Sequence, residues 1–342
     1  MRLAGALGLL VLLGALLAPG PAWAAATPAP APLTRRPFAV QVGGAPVLAG
    51  IAYGPYRQGQ RPGGPDPSPE QILEDLQIIA ARWGMIRLYS SRGPAETILR
   101  TIRDHDLPIR VLLGAWIAPA AAGENPAEEN PAEENAAEVQ AAITLARAYP
   151  QQVVAVSVGN ETQVGWSGHR SPLPTLLGHL RTVRAAIEQP VSTADDYNFW
   201  NKPEAQELAR EVDFLLLHAY AMWNRQSLAQ AVPWTEATVA SIRALHPELP
   251  IVLGETGWAT ALNPEGEERK QIVAPAGEAE QAVFYAELSA WAAGEGLPWF
   301  WFEAFDEPWK GSEDPREVEK HWGLYDVDRA PKRAVSGGKD GR

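Results

Sequence analysis

The 342-residue chain contains no cysteine, only six histidines and only three methionines. The absent thiols exclude disulfides, a cysteine nucleophile and cysteine-ligated metals together. The histidines form neither an H-x-x-x-H nor an H-E-x-x-H pattern, so the common zinc-hydrolase signatures are missing as well. Past the N-terminus, no apolar run reaches the roughly 20 residues that a membrane helix needs. Positive charge is also scarce. With 29 Lys and Arg against 41 Asp and Glu, the net charge is -12, which argues against nucleic-acid backbones and anionic membrane surfaces as partners.

What is present begins with MRLAGALGLLVLLGALLAPGPAWA, a single basic residue, an apolar stretch and an A-x-A end. This is the order of a secretory signal peptide, expected to be cleaved after Ala24 or Ala26. As a membrane anchor the run is short and is broken by Pro19, Gly20 and Pro21. A secreted or periplasmic location follows as the expectation. Residues 25–37 form a Pro-rich lead expected to stay extended and unpacked. A single catalytic domain is expected over 38–330, with a C-terminal tail over 331–342. Thirteen tryptophans are present, and those near strand ends suit sugar rings through their flat apolar faces.

Eight apolar runs, at 47–56, 85–90, 108–117, 153–161, 190–197, 212–220, 250–258 and 297–309, alternate with helix-period segments. The runs are nearly continuous, as strands covered on both faces should be. Ser68-Pro69-Glu70-Gln71 reads as a capping box with proline at the first helical position, followed by Ile72, Leu76, Ile79 and Trp83 on one face. Similar helical patterns surround Ile98–Ile102, Val139–Ala146, Leu176–Ile187, Trp234–Ile242 and Val283–Trp291, with a shorter one between Lys202 and Glu211. The expected fold is an α/β protein, a single-domain (β/α)8 TIM barrel. The competing doubly wound sheet would carry G-x-G-x-x-G after its first strand, where this chain has GIAYGPY. The tandem NPAEE repeat within 124–135 reads as a solvated acidic insertion and lacks calcium-loop spacing.

Barrel enzymes place their chemistry at the C-terminal strand ends. Those ends carry Tyr53, Arg87, Trp116, Asn160-Glu161, Asp195-Asp196, His218-Tyr220, Glu255 and Glu303. Strand four ends VSVGNE and strand seven ends VLGE, so two glutamates can oppose each other across the mouth. Glycosidic cleavage needs that arrangement, one carboxyl to protonate the leaving oxygen and one to attack carbon or activate water.

With GIAYGPY, IRLYS, VGNE, HAY, GETGW and FEAFDEPWK in order from about Gly50 to Asp326, the chain resembles glycoside hydrolase family 17, in its β-1,3-glucanase and glucanosyltransferase branch. The resemblance implies a retaining enzyme with Glu161 as acid/base and Glu255 as nucleophile. Asn160 would bond the sugar 2-hydroxyl, Tyr220 would orient Glu255 and Arg87 would keep it ionised. The implied partner is a β-glucan oligo- or polysaccharide, cleaved from chain ends, by a monomer outside the membrane and with no cofactor or metal. Further substrate-binding candidates are Tyr53, Asp195, Asp196, Asn198 and Glu303, the last either on a glucose hydroxyl or supporting Lys310. Trp200, Trp223, Trp258 and Trp309 are candidate sugar platforms, while His218 is read as a packing residue. One departure is Ala221-Met222-Trp223 after HAY, where many relatives carry proline and an aromatic. Hydrolysis and transglycosylation would use the same residues. A glucan-binding barrel without turnover should lack a catalytic carboxylate, and both are present. A metal-dependent hydrolase would have to bind its ion through clustered acids alone.

Overall fold

The computed structural model describes residues 33–119 and 131–336. The signal-peptide reading lies outside the described residues, as does most of the NPAEE repeat. Eight parallel strands close into a barrel: β1 (Ala49–Ala52), β2 (Met85–Arg87), β3 (Arg110–Ala115), β4 (Val153–Asn160), β5 (Val191–Asp196), β6 (Leu215–His218), β7 (Ile251–Thr256) and β8 (Trp299–Trp301), which returns to pair with β1. Every apolar run read from the sequence therefore holds one strand. Among the described residues, no helix is long and apolar enough to cross a membrane.

Helices cover the outside: α1 (Pro69–Ala80), α2 (Ala95–Asp104), α3 (Pro131–Ala148), α4 (Leu173–Ala186), two short helices α5 (Tyr197–Trp200) and α6 (Ala205–Ala209), then α7 (Leu228–Leu245) and α8 (Glu278–Glu295). At α1 the Ser68 hydroxyl accepts from Gln71 N and the Gln71 side chain accepts from Ser68 N, so the capping box forms as expected. Ile72, Leu76 and Ile79 then lie fully buried against the barrel. Each such side chain contributes roughly 1.5–3 kcal/mol when removed from water. On α8 the buried face is Gln281, Phe284, Leu288 and Ala292, while Val283 is exposed. The helix is right, but its inward face is one residue out of phase with the Val283–Trp291 reading.

Inside the barrel, Met85, Leu112, Ala155, Ala194, Phe214, Leu216, Val252 and Phe300 form a closed apolar plug, sealed from below by Val40. The lead is not unpacked where it is described. Arg36 donates to the carbonyls of Ile187 and Gln189 at 2.8 and 3.0 Å, and its backbone N–H donates to Asp213 Oδ1 at 2.7 Å. The tail also begins later than expected. Lys332 Nζ reaches Asp306 Oδ1 at 2.7 Å and Val335 is buried in the short helix α9 (Arg333–Ser336). Nor is the end of the NPAEE repeat simply solvated: Asn135 is buried in α3, with Oδ1 accepting from Ala118 N at 2.8 Å.

Candidate active site

Strict alternation along β7 would waste its glutamate. Val252 points into the barrel, so Gly254 and Thr256 should follow it inward and Glu255 should face the helices. The pairing with β6 prevents this. Leu217 sits opposite Leu253, but His218 sits opposite Glu255, so β7 carries one extra residue. That bulge resets the phase and turns Glu255 into the mouth beside His218. Gly254 permits it, since a Cβ there would come within 2.7 Å of Leu216 Cγ. β4 repeats the device. Ser157 pairs with Ser192 and Asn160 with Ala194, and the extra residue falls where Gly159 takes a φ of +81°. Both acids are thus aimed by a glycine-bearing bulge immediately before them.

The side chains form one network. Buried Arg87 donates from NH1 to Glu255 Oε1 (2.9 Å) and to Gly254 O (2.8 Å), and from NH2 to Asn160 Oδ1 (2.6 Å). Tyr89 and Tyr220 donate to the two oxygens of Glu255, at 2.8 and 2.7 Å. His218 lies between the acids, with Nε2 at 2.9 Å from Arg87 NH1 and Nδ1 at 2.9 Å from Glu161 Oε1. A guanidinium only donates, so Nε2 must accept and Nδ1 carries the proton that it donates to Glu161. His218 is therefore a neutral imidazole in a fixed tautomer and not a packing residue. Its burial pushes its pKa down to about 4, in agreement with that state.

The electrostatics separate the two carboxyls. Burial raises Glu161 well above the usual glutamate range, and the charges of Glu255 and Asp196 push it further. Burial would raise Glu255 too, but the Arg87 guanidinium and the hydroxyls of Tyr220 and Tyr89 pull the other way, and the carboxyl lies below its ordinary value. Both tyrosines are themselves raised, by burial and then by Glu255, so they remain donors. One oxygen of each acid and a His218 nitrogen lie within 4.8 Å of one another. The spacing would suit a metal, but the donor set does not. Arg87 already sits against Glu255 and His218, and a cation would have to displace a buried guanidinium.

The segment after β8 supplies a second cluster. Lys310 Nζ bonds Glu303 at 2.5 Å and Glu307 at 2.7 Å and lies 4.4 Å from the centre of the Phe302 ring. Burial raises Glu303 well above the usual range despite Lys310, and the two carboxylates keep Lys310 protonated against its own burial. Glu319, on the following 3-10 turn (Val318–Lys320), is raised to about 7 by burial and feels both Glu161 and Glu255. Tyr220, Phe302, Trp322 and Trp223 form an aromatic wall, with Trp322 5.3 Å from Tyr220 and 6.4 Å from Trp223.

Several expected site residues do not reach the mouth. Tyr53 is buried and donates to Asp75 Oδ2 on α1 at 3.1 Å. Trp200 is fully buried against Phe199 and His246, and Trp258 is fully buried with its Nε1 on Pro275 O. Neither ring can carry a sugar. Glu303 is 1% exposed and supports Lys310. Asp195 is fully buried and faces backbone N–H groups of the β4–α4 loop. By contrast, Asp196 adjoins Glu161 electrostatically and caps α5 through Asn198 N at 2.8 Å, leaving Asn198 half-buried at the rim. Trp223 is half-buried in the aromatic wall and Trp309 is 38% exposed. Sequence reading missed Tyr89, Glu319 and the exposed Trp166 of the β4–α4 loop. Tyr89 was within reach, because it follows Arg87 by two residues and so shares its face of the strand.

A closed parallel barrel with one raised and one lowered carboxyl at the ends of β4 and β7 is the arrangement that a glycoside hydrolase needs. More narrowly, the chain belongs to the family of BtgE/BtgC glycoside hydrolase domains, whose model matches residues 50–323, and this bears out the resemblance to glycoside hydrolase family 17. A glucan 1,3-beta-glucosidase of Arthroderma benhamiae is 29% identical over 292 residues, covering 80% of this chain and 86% of that protein. Among solved structures, an endo-laminarinase from Formosa Hel1_33_131 superposes with a TM-score of 0.73 at 26% identity, covering 84% of this chain and 86% of that one. An active-site mutant of the Rhizomucor miehei beta-1,3-glucanosyltransferase, in complex with laminaritriose, shares the fold with a TM-score of 0.67 at 20% identity, over 84% of this chain and 97% of that one.

Proposed function

We propose that the protein is a secreted enzyme that hydrolyses β-1,3-glucan by retaining double displacement, with Glu161 as acid/base and Glu255 as nucleophile. The observation that carries this reading is the opposed pair itself. Glu161 is held protonated and Glu255 ionised, with an oxygen of each inside 4.8 Å. So close an approach of two oxygens favours retaining enzymes, whose carboxyls stand roughly 5–5.5 Å apart, over inverting ones, where roughly 6.5–9.5 Å leaves room for a water. The linkage rests on the Arthroderma relative and the Formosa structure, both named for β-1,3-glucan chemistry.

The network assigns each group a task. Because Glu161 Oε1 accepts from His218 Nδ1–H, its proton sits on Oε2, free to meet the glycosidic oxygen. Asn160 Oδ1 is occupied by Arg87, which turns the amide N–H toward the sugar 2-hydroxyl. When Glu255 forms its ester with the anomeric carbon, its charge disappears. One upward push on Glu161 goes with it, so the acid of the first step becomes the base of the second.

Action from chain ends is carried with this reading on the glucosidase name of the Arthroderma relative, against the endo designation of the Formosa enzyme. Transfer to a second sugar uses the same residues and is the alternative outcome of the second step. Proton NMR of early laminari-oligosaccharide cleavage should show the β-anomer first, and α-anomer first would overturn retention. Chromatography of the same reaction reads the rest: single sugars mean attack from ends, and oligomers longer than the substrate mean transfer. A Glu255→Gln variant with unchanged turnover would remove the nucleophile assignment.

A further inference from the structure

The turn that carries Glu161 is held from behind by a side chain that the reaction does not touch. Glu161 adopts a φ of +49°, a left-handed conformation that costs a non-glycine residue on the order of 1–3 kcal/mol and persists only where the surroundings impose it. Its own N–H donates to Ala194 O at 2.9 Å. Two and three residues further on, the N–H groups of Gln163 and Val164 donate to the two oxygens of Asp195, at 2.8 and 3.2 Å. Asp196 N donates to the same carboxyl at 2.9 Å. The Gln163 side chain closes the loop from the far side, its Nε2 donating to Ser171 O at 2.9 Å.

Asp195 has no route to a sugar, since it is fully buried and its neighbours on β5 are the ones that face inward. Yet a carboxyl at this position is specific. It offers an acceptor oxygen to each of two consecutive N–H groups, whereas an asparagine would turn an NH2 against one of them.

We propose that Asp195 is a positioning residue for the acid/base: by gripping the N–H groups of Gln163 and Val164 it fixes the left-handed turn at Glu161 and aims that acid at the glycosidic oxygen. This rests on reading Glu161 as the acid/base. The experiment compares kcat/KM of Asp195→Asn on two substrates, with Glu161→Ala as the reference. Laminaritriose needs a proton on its leaving oxygen, while 2,4-dinitrophenyl β-laminaribioside releases a phenolate that needs none. General acid catalysis is worth about 10²–10⁴-fold, so misaiming it should lower kcat/KM on laminaritriose about 10–100-fold and on the aryl glycoside less than about 3-fold. Azide, which attacks the glycosyl-enzyme without a base, should raise aryl-glycoside turnover in both variants. Equal losses on both substrates with no azide response in Asp195→Asn, while Glu161→Ala shows the selective pattern, would overturn the positioning role alone. If Glu161→Ala itself lacks that pattern, the acid/base reading is what fails. Should Asp195→Asn not fold, amide hydrogen exchange of the unaltered protein decides: the Gln163 and Val164 N–H groups held by Asp195 should be protected, and exchange of both as fast as exposed loop amides also overturns the proposal.

Discussion

Tyr220→Phe isolates one atom of the network. The phenol oxygen donates to Glu255 Oε2 at 2.7 Å, while its ring packs 6.0 Å from Phe302 and 5.3 Å from Trp322. Phenylalanine keeps the ring contacts and removes only the donor. A hydrogen bond to a charged group is worth about 1.5–3 kcal/mol, and each 1.36 kcal/mol of preference for the ionised form is about one pKa unit. Glu255 must be ionised to attack, so loss of the bond raises its pKa and weakens activity from the acid side. The acid limb of kcat/KM against pH, measured on laminaritriose, should therefore move up by about 1–2 units. The basic limb, which belongs to protonated Glu161, should stay in place. Tyr89→Phe removes the donor to Oε1 and should give a shift of the same sign. An acid limb that moves by less than about 0.3 unit in Tyr220→Phe would refute the claim that these hydroxyls hold Glu255 ionised.

Lys310→Met would leave Glu303 and Glu307 buried with no counter-charge between them. Breaking such a cluster should cost about 3–5 kcal/mol in urea unfolding, and a loss under about 1 kcal/mol would show the cluster to be dispensable. Gly254→Ala forces a Cβ to within 2.7 Å of Leu216 Cγ at the bulge before the nucleophile. Overpacking of this kind should cost about 1–3 kcal/mol by thermal melting, and the displaced Glu255 should lower kcat more than it raises KM. Excess chelator should leave laminaritriose hydrolysis unchanged, because Arg87 fills the position that a metal among Glu161, His218 and Glu255 would need. Loss of activity that zinc or calcium restores would contradict this.

The strand ends were legible because buried parallel strands read as continuous apolar runs, and a polar residue at the end of one is conspicuous. VSVGNE and VLGE showed both acids in this way. What the runs did not show was direction. Tyr53 stands out of phase with Gly50, whose Cβ position faces Phe300 and Met85 inside the barrel, and so points out to Asp75, and Asp195 stands one residue out of phase with the inward Ala194. Period-two counting places both, but the same counting would misplace Glu255, because a bulge is invisible without its partner strand. Trp200 and Trp258 failed for a related reason. A tryptophan beyond a strand end suits a sugar face or a core equally, and the choice depends on helices far away in sequence. His218 was the least legible, since its role depends on three other strand ends meeting around it.

His218 touches both acids, and an imidazole between two carboxyls is ordinarily a conduit. Here the conduit is blocked at one end. To pass a proton from Glu161 to Glu255 the ring would have to take one up at Nδ1 and release one from Nε2, but Nδ1 already carries its proton and Nε2, though 3.4 Å from Glu255 Oε1, faces the guanidinium of Arg87 and has none to release. His218 thus works as an insulator. Glu161 feels the charge of Glu255 through the field, yet the short circuit that would quench the nucleophile before substrate arrives stays open.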